Sequence, residues 1–86
     1  MSDMTYPPGL TPELADILGM PNFECGPIAH AFRDAGHDIP RKAEAEQAFV
    51  IHWLTTLFLK HGAGWKVHAG TELQIARVKS QEQADA

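Results

Sequence analysis

The run from Phe49 to Leu59 constrains this chain more than any other segment. Wound as a helix at about 100° per residue, Val50, Ile51, Trp53, Leu54, Leu57 and Phe58 cover an arc of roughly 160°. A helix that is apolar over so much of its circumference is contacted on more than one side. The run contains His52, Thr55 and Thr56 and falls well short of the about 20 apolar residues that a membrane-crossing helix needs. It therefore belongs at the centre of a small domain. Pro40 suits a first helical turn, and Gly62-Ala63-Gly64 breaks the pattern. The segment thus reads as a helix from about Pro40 to His61, roughly 33 Å long at about 1.5 Å per residue.

The flanking segments supply shorter partners. Residues 1–9, with Tyr6-Pro7-Pro8-Gly9, have no periodicity and read as an extended N-terminal arm. Thr11 is a cap, Pro12 fits the first turn and Glu13 complements the dipole. Leu10, Leu14, Ile17 and Leu18 then share one side of a two-turn helix that Gly19 ends. Phe23 is expected to plug the core beneath the turn that follows. Gly26-Pro27 marks the start of a second short helix, with Ile28, Ala31, Phe32 and Ala35 on its inner face and Gly36 as its stop.

Beyond Gly64 two patterns compete. As a helix, Trp65, Ala69, Leu73 and Ala76 form one stripe, and Val67, Ile75 and Val78 a weaker second one. As a β-hairpin, Trp65, Val67 and Ala69 alternate against Leu73 and Ile75 around Gly70-Thr71. The helical period fits the longer stretch, to about Gln81, although Gly70 weakens it by about 1 kcal/mol relative to alanine. The expected architecture is all-α, a small bundle of about four helices with a long central third helix, spanning 10–80. Its alternative is α+β with a C-terminal β-hairpin. Residues 81–86 read as a polar, frayed tail.

A chain of 86 residues is one domain, and one this small leaves stability marginal. Its lone cysteine, Cys25, cannot form an internal disulfide. The long third helix outreaches the short helices before it, so the expected source of extra stability is a second copy, a homodimer. Seven basic and eleven acidic residues give a net charge of −4. With the cations unclustered, that balance argues against nucleic acid as a partner. Helix 2 offers only Arg33, and no arginine, asparagine or glutamine stripe stands ready for base readout. With neither a signal-peptide pattern nor a membrane span, the expected location is the cytoplasm.

The chemistry-bearing residues are few. Cys25, His30 and His37 lack the short paired spacing of zinc ligands, so neither a metal nor a cofactor is expected. A helix start beside Cys25 could lower its thiol pKa for attack with His30, but no oxyanion loop accompanies the pair. The chain reads as a non-enzyme, with Cys25 a small buried residue. His52 is expected half-buried and bonded to a neighbouring hydroxyl or carbonyl; its alternative role is titration at an interface. Arg41 and Lys42 sit where a helix start disfavours cations. They either contact an acidic partner or form a solvated pair, Lys42 bridging to Glu46.

The run from Leu18 to Cys25, with Gly19-Met20-Pro21-Asn22-Phe23 inside it, and the run from Ala35 to Ala48 resemble small uncharacterised proteins encoded in phages and prophages of proteobacteria. The resemblance extends through His52-Trp53-Leu54 and His61 to Trp65. It implies a protein that acts by binding a host or phage protein, and it brings no catalytic residue or cofactor with it.

The expected function is non-catalytic protein–protein interaction, as a phage-encoded modulator of a host or phage protein. The alternatives are a small DNA-associated regulator and an accessory structural subunit of a phage particle. The expected surface joins Arg41, Lys42 and Gln47 to Phe49, His52, Thr56 and Leu59 farther along the third helix, an apolar pair amid polar groups.

Overall fold

Thr11 starts the helical part of the chain: its hydroxyl accepts from the Leu14 amide, and Pro12 occupies the first turn. In the computed structural model, which describes residues 5–85 and side chains as far as Glu82, α1 runs Pro12–Leu18 and α2 Asn22–Asp34. Helix α3 spans Ala43–His61, a 3-10 turn follows at Gly62–Gly64, and α4 spans Trp65–Asp85. The described chain is all-helical, and the hairpin alternative is not adopted. The expectation of four separate helices is corrected. From Ala43 to Asp85 the chain is one joined helical run, folded back at Gly62, so the described helical material forms three bodies.

That fold-back rests on one residue. Gly62 caps α3 at φ 61° and ψ −133°, a backbone region essentially reserved for glycine. Helix α4 returns antiparallel along α3, so that the Trp53 indole N–H donates to Glu72 at 2.7 Å. With 21 residues α4 is about 31 Å long, and α3, with 19, is about 28 Å. Helix α3 is central, packed against α1, α2 and α4; it is longer than α1 and α2, and α4 matches its length. The length mismatch behind the dimer expectation thus holds against α1 and α2, while α4 covers the full length of α3 within the same chain.

Boundaries moved for identifiable reasons. Helix α2 starts at Asn22, a turn earlier than Gly26-Pro27 suggested, and Pro27 lies inside it. Proline at that place removes only the bond back to the carbonyl of Phe23, near the helix start. Phe23 does not plug the core. Cys25, Ala29 and Phe32 form the buried face at i, i+4 and i+7, which turns Phe23 outward at 78% exposure. Leu10 precedes α1 and is likewise exposed, as is Leu18, leaving Leu14 and Ile17 as the buried pair. Gly36, at φ 114°, follows α2 as the stop the sequence suggested. Helix α3 begins at Ala43, three residues beyond Pro40. Helix α4 continues to Asp85, because Gln81, Glu82, Gln83 and Ala84 are good helix formers with no breaker among them. Met1–Met4 of the expected arm, and Ala86, lie outside the described residues.

The α2–α3 corner is braced by Arg33. Its guanidinium donates to the carbonyls of Ile39 and Pro40, each at 2.9 Å, and to the Glu46 carboxylate at 2.8 Å. Glu46 also meets His30 at 3.2 Å, so it pairs with α2 and not with Lys42. The Arg33 guanidinium, bonded to it, holds the Glu46 carboxyl below the ordinary range. Asn22 donates to the carbonyl of Ala43 and Gln47 to that of Met20, two further ties between the α2 start and α3.

Candidate functional site

An aromatic cleft opens where α2, α3 and α4 meet. Phe32 from α2 forms its floor, 5% exposed, with Phe49 and Trp53 from α3 beside it. Phe49 and Trp53 are four residues apart, one helical turn, so both rings leave the same side of α3. The Phe32 ring lies 4.8 Å from Trp53, 5.5 Å from Phe49 and 5.3 Å from His37, at interplanar angles of 63°, 56° and 86°. His37 reaches the cluster because Gly36 turns the chain back immediately before it. Opposite stand Ile75 and Ala76 of α4, with Glu72 and Lys79 at the rim. The cleft encloses about 230 Å³. Ile75, in its lining, is 56% exposed. Trp53 is also a partition: beyond it, Met20, Ile28, Leu54, Trp65 and Leu73 line a shallower apolar recess of about 180 Å³.

Chemically, the cleft offers ring faces and edges, one carboxylate and one ammonium. That equips it to hold a small group or a side chain. It is smaller than the about 300 Å³ at which pockets for drug-sized ligands begin. Cys25 lies elsewhere, fully buried in α2, its sulfur 3.9 Å from the carbonyl of Met20. Burial, and then the charge of Glu24, push its thiol pKa up, opposite to the direction an attacking thiolate needs. His30 turns to Glu46 and His37 to the aromatic cluster, so Cys25, His30 and His37 do not converge.

The surface expected along α3 is divided. Phe49 lines the cleft, while His52, Thr56 and Leu59 follow along the neighbouring side of the helix. His52 is exposed, not half-buried; its backbone carbonyl accepts the Thr56 hydroxyl at 2.9 Å. Leu59 packs against the core. Gln47 is nine residues from Thr56, about half a turn out of phase, and faces Met20. Arg41 and Lys42 are exposed and precede α3, Lys42 as its cap residue, so neither lies within the first turn.

Of the surface expected from the sequence only Phe49 lines the cleft; Phe32, His37, Trp53, Glu72, Ile75 and Lys79 lay outside it. A signal for Glu72 existed. Trp53 and Glu72 are equidistant from the junction of Gly62 and Ala63, so a helical hairpin folded there sets them side by side. No known protein family, curated protein or solved structure matches the chain.

Proposed function

We propose that this protein is a non-catalytic binding domain that acts on another protein through the aromatic cleft. The observation that carries this reading is the aromatic wall of Phe32, Phe49 and Trp53 with Ile75, 56% exposed, beside it. An aromatic-walled recess beside exposed apolar residues is the anatomy of an interface hot spot, where one inserted side chain anchors the rest. The net charge of −4 favours a protein over a nucleic acid in that role. The role suggested by the resemblance, a phage-encoded modulator of a host or phage protein, is compatible with such a surface. The test compares wild type with Ile75→Glu and Phe49→Ala in affinity capture. A protein retained by wild type and lost with Ile75→Glu, while the helical spectrum and melting midpoint hold, supports the cleft. Undiminished capture by both variants refutes it.

Self-association is a second reading, and it now rests on α4. Val67 and Val78 lie on the side of α4 away from its buried stripe, at 73% and 48% exposure. Sedimentation of Val67→Ser/Val78→Ser beside wild type checks it. A wild-type mass near twice 9.5 kDa that halves in the double variant supports a dimer through this strip. A wild-type monomer across micromolar concentrations refutes the dimer.

A further inference from the structure

We propose that the cleft is an aromatic cage for an alkylated ammonium group, carried either by a partner's methylated lysine or by a small quaternary amine. This rests on the reading of the cleft as the working surface and supplies the chemistry of what enters it. No two of the cleft rings in contact are stacked: the interplanar angles of 86°, 63°, 63° and 56° present faces and edges from several directions. Ring faces are negative, and a cation within about 6 Å of a centroid is attracted to them, most strongly over tryptophan. The cage rim carries a carboxylate held in place, because the Trp53 N–H fixes one Glu72 oxygen at 2.7 Å. Donation to an anion also enriches the indole π-system, which strengthens its face toward a cation.

A volume of about 230 Å³ admits a trimethylammonium head with a short stem. The lysine on the rim does not fill the place itself. Lys79 lines the cleft, but the cation seated over a ring is Lys66, 5.6 Å from the centroid of Trp65 on another part of α4. An alkylated ammonium suits this environment better than a bare one. Its methyl groups bury apolar surface against Phe49 and Ile75, and it has no N–H donors that must be satisfied.

The test follows the indole N–H resonance of Trp53, assigned by its loss in Trp53→Phe, at mildly alkaline pH where an ordinary imidazole is neutral. Choline and its uncharged isostere 3,3-dimethylbutan-1-ol are titrated separately into the intact protein. Choline is expected to shift the resonance saturably and to bind on the order of tenfold more tightly than the isostere. Glu72→Gln, an exposed position, is expected to erase that preference, and Lys79→Gln to tighten choline by relieving repulsion. Trimethyl-lysine and unmodified lysine peptides form the second arm. A peptide that competes with choline only when methylated assigns the ligand to a protein side chain, and competition by neither peptide assigns it to a free amine. Equal binding of choline and the isostere overturns the cage, and so does the absence of any shift with either. The capture experiment with Ile75→Glu reads the binding-domain proposal independently of both results.

Discussion

Replacing Gly62 with alanine should convert the fold-back into a straight helix. At φ 61° and ψ −133° the residue occupies a region where a Cβ costs about 1–3 kcal/mol. In a continuous α3–α4 helix the same substitution removes a glycine from a helix interior, a gain of about 1 kcal/mol. Both effects act in one direction, so the balance moves by about 2–4 kcal/mol toward the straight form, roughly 30- to 900-fold. A straight rod cannot return Trp65, Ala69 and Leu73 to their own α2 and α3, so they are buried against another copy's. The product is a domain-swapped dimer. Sedimentation at matched micromolar concentrations should show Gly62→Ala heavier than wild type with its helical signal intact. An unchanged mass together with an unchanged melting midpoint would refute the assignment of Gly62 as the obligatory corner.

Leu57 is 4% exposed inside the core, so Leu57→Ala should cost about 2–5 kcal/mol in denaturant unfolding; a loss within about 0.5 kcal/mol would mean α3 is rotated from the arrangement described. Glu46 has a folded pKa below its ordinary value, so its contribution is present above the usual glutamate range and is lost as pH falls through the depressed value. Melting midpoints measured between neutral and strongly acidic pH should therefore fall less steeply in Glu46→Gln than in wild type, and parallel curves would count against the Arg33 contact. Phe23, at 78% exposure, should be replaceable by serine with a stability change within about 0.5 kcal/mol, whereas a loss of several kcal/mol would return it to the core.

Periodicity exposed the parts of the fold that are local. Thr11-Pro12 and Gly36 act on their own helix ends, and the stripe from Trp65 to Ala76 repeats at helical spacing, so each was legible in the chain. The exits from that rule are long-range. Pro27 signalled a helix start, yet the ties of Asn22 to Ala43 and of Gln47 to Met20 draw the first turn of α2 against α3 and set its beginning earlier. Phe23 looked like core material by hydrophobicity alone, and only the phase set by Cys25, Ala29 and Phe32 turns it outward. Little of the candidate site was legible, for the same reason. Phe49 stood out along α3, but Glu72 and Ile75 acquire meaning only once Gly62 reverses the chain. Arg33, noted as a lone cation, proved to be the clamp of the α2–α3 corner.

That clamp leaves the cleft with two jaws that differ in their hydrogen bonding. Phe32, His37 and Phe49 sit on α2, its following loop and α3, which Arg33, Asn22 and Gln47 fasten together through five hydrogen bonds. The opposite jaw, α4, is attached at the Gly62 corner. Among the described residues its one side-chain hydrogen bond to another helix is that from Trp53 to Glu72. Widening of the cleft thus requires α4 to give up both this bond and the apolar packing of Trp65, Leu73 and Ala76 against α2 and α3. Such collective helix motion belongs to the microsecond-to-millisecond range. The Glu72 carboxylate that lines the rim is thereby also part of what holds the two sides of the cleft together.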